Sequence, residues 1–392
     1  MIRFTRAAAA AVLVCSLALP AGIATAAVPA TGAPAVAGTA PAARAATLPA
    51  PTGPYSVGST VLPLVDRSRT DPWVPTADGR ALMVTLHYPA ARPGGGRPAP
   101  YATREEARLL AEQLGPGVSG DVLARTRTHG RTDARPAPGR HPLVLLSPGF
   151  SVSRWTLTHL AEDLASRGYV VASVDHAYES FGTSLPGGRT LTCVACTALD
   201  EGGVHGSVVT STRAADMRYV LDRLTGPKPV WRYADAIDAR RVGMAGHSIG
   251  GASAASAMVA DPRIDAGINM DGSFWEELPA EGLRGRPFMM LGTHDSMHLP
   301  GGQDASWDRA WTALDGWKRW ITVAGSEHFT FSDGPVIQGH FGLPQPELPA
   351  DRAVAVTRTY VAAFFDQHLR GLPRPVLDGP TPANPEVHFQ HR

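Results

Sequence analysis

The sequence predicts an α/β fold, a mostly parallel central sheet covered by helices on both faces, and three observations carry that prediction. Short apolar runs that read as strands alternate along the chain with segments whose apolar residues recur at helical spacing. "YVVASVDH", residues 169–176, has the look of a strand buried on both faces. "RVGMAGHSIGG", residues 241–251, reads as strand, tight turn and helix, with Ser248 between Gly246 and Gly250.

From the N-terminus, Arg3 and Arg6 precede an apolar stretch, Ala7 to Leu19, which ends in Ala24-Thr25-Ala26. This is the pattern of a secretory signal peptide, residues 1–26, and predicts an exported, extracellular protein. The arginines are not adjacent, which argues against a twin-arginine signal, and no later stretch is apolar for long enough to span a bilayer. Residues 27–54 are mostly Ala, Pro, Gly and Thr with no apolar face, and are expected to be a disordered linker. Residues 55–392 are expected to form a single domain.

Within that domain, residues 81–90 and 141–150 read as strands, and the second ends in a turn. Leu157, Leu160, Ala161 and Leu164 mark a helix that Gly168 stops, and residues 169–176 are the next strand. Ala214, Met217, Leu221 and Leu224 mark another helix, and 241–245 is the strand leading to Ser248. A small-residue helix, the strands "DAGINMD" and "RPFMMLGTHD", a Trp-bearing helix, the strand "RWITVAG" and a final helix over roughly 351–369 follow. Two excursions interrupt the alternation, near 91–140 and 177–209. The first contains a helix opened by the capping box Thr103-x-x-Glu106. Loops of this length are expected to cover a functional site.

Charged residues nearly balance, 36 Lys and Arg against 35 Asp and Glu, and no dense basic stripe occurs, so nucleic acid is excluded as a partner. Beyond the signal region only Cys193 and Cys196 remain. The pair reads as a local disulfide in an oxidising compartment, with a redox dithiol or a zinc site as the alternatives.

Ligands of an open α/β sheet bind beyond the carboxyl ends of its strands. Asp271, Asp295 and His328 each stand just after a strand, and the order Ser, Asp, His is the one that α/β-hydrolases use. A serine hydroxyl is a weak nucleophile until an imidazole takes its proton, and the imidazole needs a carboxylate to fix its tautomer. Ser248 is therefore the expected nucleophile and His328 the base, with Asp271 or Asp295 as the acid. His247 is read as a supporting residue. Backbone N–H groups of Ile249 and Phe150 are the expected oxyanion donors. Trp155, Phe274 and Trp275, next to those donors and the acid, are the expected wall of a shallow acyl pocket.

These residues sit in a longer resemblance. "TGPYSVGSTVLPLVDRSRTDPW", "LVLLSPGF", "LASRGYVVASVDHAYES", "GHSIGGAS", "INMDG", "GSEHFTFSD" and "AAFFDQHLRG" are similar to the plasma-type (isoform II) platelet-activating factor acetylhydrolases and their secreted bacterial relatives. The resemblance implies an α/β-hydrolase fold and calcium-independent hydrolysis of carboxyl esters with short or oxidised acyl chains, phospholipids included, with no metal or cofactor. It implies Ser248, Asp271 and His328 as the triad, and so favours Asp271 over Asp295. One departure is Pro148, where the family often has histidine. A polyester or cutinase-like hydrolase is the alternative reading, and a non-catalytic binding protein of this fold is disfavoured by the intact Ser, Asp and His. Trp307, Trp311, Trp317 and Trp320 raise a weak lipid-interface contact as the lesser reading and core packing as the greater.

Overall fold

Val170 to Val174 show why this sheet needs cover on both sides. Val170, Ala172 and Val174 face one apolar core, while Val171 faces the other. The computed structural model describes residues 44–91 and 95–391. The signal region and the linker up to residue 43 lie outside the described residues.

The chain begins its regular structure with β1 (Ser56–Asp66) and β2 (Arg80–Ala90), paired antiparallel over their full length. The first excursion holds α1 (Arg104–Leu114), α2 (Gly120–Ala124) and the two-residue β3 (Arg131–Thr132). β4 (His141–Ser147) leads through a 3₁₀ turn into α3 (Thr158–Ser166) and β5 (Val170–His176). The second excursion contributes the small hairpin β6 (Thr183–Ser184) and β7 (Thr190–Leu191), then α4 (Val194–Asp200). After it come α5 (Gly206–Thr225), β8 (Ile237–His247), α6 (Ile249–Ala260), β9 (Ala266–Met270) and β10 (Phe288–Thr293). The chain closes with α7 (Ala305–Ala313), β11 (Lys318–Val323), α8 (Gly334–Phe341), α9 (Ala350–Arg370) and β12 (Val387–Phe389).

Ten strands form one sheet in the order β12-β11-β10-β9-β8-β4-β5-β2-β1-β3. The six strands from β11 to β5 run parallel, and β2 and β12 join them antiparallel. The apolar faces of α5 and α6 cover one side, and α3 and α9 cover the other. β8 lies in the middle, so the turn after it sits where the two halves of the parallel sheet meet.

Several expectations change. Residues 44–54 are not a free linker. Ala46 and Leu48 are buried beside Tyr101 and Trp155, Leu48 N–H donates to Arg127 O, and Thr52 N–H donates to the Asp163 carboxylate. Two small apolar side chains with backbone partners suffice to dock a segment that its composition makes look featureless. Neither β1 nor β12 was expected. β1 carries Pro63, which a sheet tolerates because β3 pairs only with Gly58 and Ser59 and leaves the outer edge of β1 open beyond them. The tryptophans do not form a lipid-facing surface: Trp307 and Trp320 are fully buried, and Trp311 and Trp317 lie half-buried under Lys318 and Arg319. Among the described residues no helix is long and apolar enough to cross a membrane. The Thr103–Glu106 capping box is present with both hydrogen bonds, and Cys193 and Cys196 form a disulfide.

Burial also sets a pH response. His87 lies inside β2, and burial, with the charge of Arg154 second, pushes its imidazole down to about 4. Above the ordinary imidazole value of about 6.5 both folded and unfolded states hold it neutral. As pH falls from there towards 4 only the unfolded chain takes up the proton, so folding stability drops by up to about 3 kcal/mol. Urea unfolding measured between pH 7 and 4 is expected to show that loss, and His87→Gln to flatten this part of it.

Candidate active site

The turn after β8 is built so that only glycine fits beside Ser248. A Cβ on Gly246 would stand 2.2 Å from the Gly250 carbonyl, and one on Gly250 would stand 2.3 Å from the Ser147 oxygen. Ser248 itself takes φ 56° and ψ −130°, a strained conformation for a residue with a side chain. Its N–H donates to Met270 O at 2.7 Å, which fixes the turn against the end of β9. α6 starts at the next residue, so the positive end of that helix lies at the serine.

Two other strand ends meet this turn. Asp271 follows β9 with φ 63°, and its N–H donates to Leu291 O of β10. His328 begins the 3₁₀ turn Glu327 caps, a few residues beyond β11. The His328 Nδ1 lies 2.7 Å from Asp271 Oδ2, and its Nε2 lies 3.0 Å from Ser248 Oγ. With the proton on Nδ1 directed at the carboxylate, Nε2 is left to accept the serine hydroxyl hydrogen. The Asp271 side chain is 1% exposed and that of His328 46%, so a buried charge orients an imidazole that solvent and substrate can reach. Burial works against the charged form of Asp271, yet the His328 hydrogen bond, the nearby His298 and the Thr293 N–H together hold its carboxyl below the usual range. The Thr293 N–H donates to Oδ1 at 2.6 Å.

Asp295 occupies a different place. Its Oδ1 accepts the N–H groups of Met297 and His298 and faces His298 Nδ1 at 2.9 Å, closing its own turn. His298, which the sequence reading did not single out, also stands 3.6 Å from Asp271 Oδ1 and so links the two carboxylates. The signal for it lay in the "THDSMH" stretch, three residues beyond Asp295. The Ser248 hydroxyl is hydrogen-bonded to His328, and His247 has a different partner. Its Nε2 donates to His328 O at 2.7 Å, and burial and then the nearby His328 push its imidazole down to about 3, so it stays a neutral donor.

The turn after β4 faces the serine from the other side, since the Ser147 and Pro148 oxygens are the atoms that Gly250 approaches. Among the described residues none accepts the N–H of Phe150 or of Ile249, whereas the neighbouring Ser151 N–H donates to Glu179 O at 2.9 Å. Neither N–H is thus committed to another acceptor among the described residues.

The expected aromatic wall is not one wall. Trp155 is buried against Tyr101, with ring centroids 4.9 Å apart, in a separate cluster under the 91–140 excursion. Phe274 is buried on the rings of Phe288 and Trp307. Trp275 is 41% exposed, edge-on to His205, and borders a cavity of about 600 Å³ with Ser273, Phe274, Met297 and Arg309. Nearness in sequence places a residue's Cα, while the direction of its side chain is set by the core that it helps to fill.

Comparison with known proteins adds a second line. Residues 41–185 match the family model "Platelet-activating factor acetylhydrolase, isoform II". A protein of Arthroderma benhamiae named "Probable 1-alkyl-2-acetylglycerophosphocholine esterase" is 30% identical over 87% of this chain and 93% of its own length. "Bis(hydroxyethyl) terephthalate hydrolase" of Streptomyces coelicolor is 28% identical over 61% of this chain and 73% of its own. Among solved structures, "Ferulic acid esterase" from Streptomyces cinnamoneus superposes with a TM-score of 0.80 and 49% sequence identity, covering 89% of this chain and all of that one.

The close approach of strand ends gives a direct test. A Cβ on Gly272 would stand 2.0 Å from Ser248 O. Gly272→Ala is therefore expected to displace the serine turn and lower ester turnover roughly 10²-fold, with far-UV circular dichroism unchanged. Full turnover in that variant would mean that the two turns are not in contact.

Proposed function

The chain has the α/β-hydrolase fold, belongs to the platelet-activating factor acetylhydrolase isoform II family and is a carboxylic ester hydrolase; on that premise we propose that it is a secreted serine esterase working through an acyl-enzyme at Ser248. The observation that carries the reading is the hydrogen-bonded chain from Asp271 through His328 to Ser248, 2.7 and 3.0 Å long in its two links. His328 Nε2 takes the hydroxyl proton as Ser248 Oγ attacks the ester carbonyl, and Asp271 stabilises the imidazolium that forms. The oxyanion is held by the N–H groups of Phe150 and Ile249. His328 returns the proton to the departing alkoxide. It then deprotonates the water that attacks the acyl-enzyme and passes that proton to Ser248 Oγ as the acyl bond breaks, which releases the carboxylic acid and restores the serine. The Cys193–Cys196 disulfide supports export to an oxidising compartment.

For the substrate, the reading is a small ester with a short acyl group. Support comes from the Arthroderma relative, named for a 2-acetyl phospholipid. A second reading, an aromatic hydroxycinnamoyl ester, is favoured by the 49% identity to the Streptomyces cinnamoneus esterase. Values of kcat/KM for p-nitrophenyl acetate and butyrate, methyl ferulate, a 2-acetyl phospholipid and p-nitrophenyl palmitate separate them. Acetyl to butyryl esters are expected to exceed palmitoyl, with no effect of EDTA. A preference for palmitoyl would reject the short-acyl reading, and ferulate above butyrate would select the second.

Two substitutions test the machinery. Ser248→Ala is expected to abolish both turnover and labelling by a fluorophosphonate in a folded protein. Asp271→Asn is expected to lower kcat by roughly 10³- to 10⁴-fold, as loss of the orienting carboxylate does in triads of this kind. Asp295→Asn should change it by less than about ten-fold. The reverse ranking would move the acid to Asp295.

A further inference from the structure

A cluster of buried charges lies directly behind the turn that carries Phe150, and the mechanism above makes no use of it. Arg213 on α5 and Glu179 after β5 are each about 1% exposed. Arg213 Nε donates to Glu179 Oε2 at 2.7 Å, while its Nη1 donates to the Pro148 carbonyl at 2.5 Å and to Ser147 Oγ at 3.2 Å. Glu179 is held in turn by Arg80 Nη2 at 2.6 Å and Trp73 Nε1 at 2.9 Å, and its own carbonyl accepts the Ser151 N–H at 2.9 Å.

Burying such a pair is a weak source of stability, because an apolar packing of equal volume does as well or better. What distinguishes this pair is where its hydrogen bonds end. The Arg213 side chain pins the peptide carbonyl before Gly149, and the main-chain carbonyl of Glu179, whose carboxylate is held by Arg213, Arg80 and Trp73, pins the peptide N–H after Phe150. Between them lies the Gly149–Phe150 peptide, whose glycine leaves it free to rotate. Ser151, at φ 65°, is held in the left-handed region from both sides, its N–H by the Glu179 carbonyl and its own carbonyl by the Phe181 N–H at 2.8 Å.

We propose that Arg213 and Glu179 are positioning residues that clamp both sides of this turn and so aim the Phe150 N–H at the oxyanion. The inference rests on the reading of Phe150 as an oxyanion donor and adds the residues that set its direction. A donor that is free to rotate must be ordered during each turnover, whereas a clamped one is ready before the substrate arrives. The expected signature is therefore in kcat and not in KM.

The test uses the full-length protein with Arg213→Lys, which keeps the charge but not the fork, and Glu179→Gln, which keeps shape but not charge. Each is measured for kcat and KM on p-nitrophenyl butyrate, for affinity to an arylboronic acid that mimics the tetrahedral anion, and for the fraction of Ser248 labelled by a fluorophosphonate. We expect kcat to fall roughly 10²-fold with KM within about two-fold. Boronate affinity should fall in parallel with kcat/KM, and labelling should still run to completion. If Arg213→Lys does not fold, Glu179→Gln must show the same pattern. Complete labelling with unchanged kcat, or loss of folding in both variants, would overturn the clamp and leave the triad standing. Failure of the wild-type protein to be labelled would instead overturn the triad reading.

Discussion

The 2.7 Å contact between Asp271 and His328 is the constraint around which the rest of the molecule is arranged. An ionised carboxylate that is 1% exposed needs hydrogen-bond donors on its oxygens; here an imidazole serves Oδ2 and the Thr293 N–H serves Oδ1, with His298 3.6 Å from the latter. Those partners come from different strand ends, β10 and the segments after β10 and β11. Neither the carboxylate nor the histidine can be placed without a parallel sheet that brings these ends to one edge. The positive φ of Asp271 and the glycine after it belong to the same demand, since the chain must turn sharply enough to reach His328 while touching Ser248.

The serine turn answers a second demand, that of exposure. Its strained backbone lifts Ser248 out of a sheet that is otherwise covered on both faces, and the glycines at 246, 250 and 272 are where other backbone passes too close for any Cβ. His247 ties the two demands together. Its side chain holds the carbonyl of His328, so the residue next to the proposed nucleophile steadies the proposed base.

How much of this was legible in the sequence follows from the range of each interaction. The Gly246-x-Ser248-x-Gly250 turn, the order of Ser, Asp and His after strands, the central parallel strands and the helices between them all rest on local pattern, and they could be read. β1 was missed because Pro63 and a run of small polar residues hide a strand whose identity depends on the full-length partner β2. Residues 44–54 read as linker because Ala46 and Leu48 are docked by the cluster around Tyr101 and Trp155, more than fifty residues further along the chain. The aromatic wall failed for a related reason, since Trp155 is turned toward that cluster and Phe274 toward Trp307. Arg213, on a helix, and Glu179, in the loop after β5, give no signal because a charged residue in either setting reads as solvated until the fold shows it buried behind a turn.

The central claim is that ester cleavage passes through a covalent bond to Ser248, and peptide mapping of the enzyme trapped during turnover tests it most directly. Acid quenching within milliseconds of mixing with excess p-nitrophenyl butyrate, followed by mass spectrometry, is expected to find a butyryl group on the peptide containing Ser248 and nowhere else. A butyryl group on another residue, or complete hydrolysis with no acylated peptide at any quench time while a burst of nitrophenol is seen, would contradict the account.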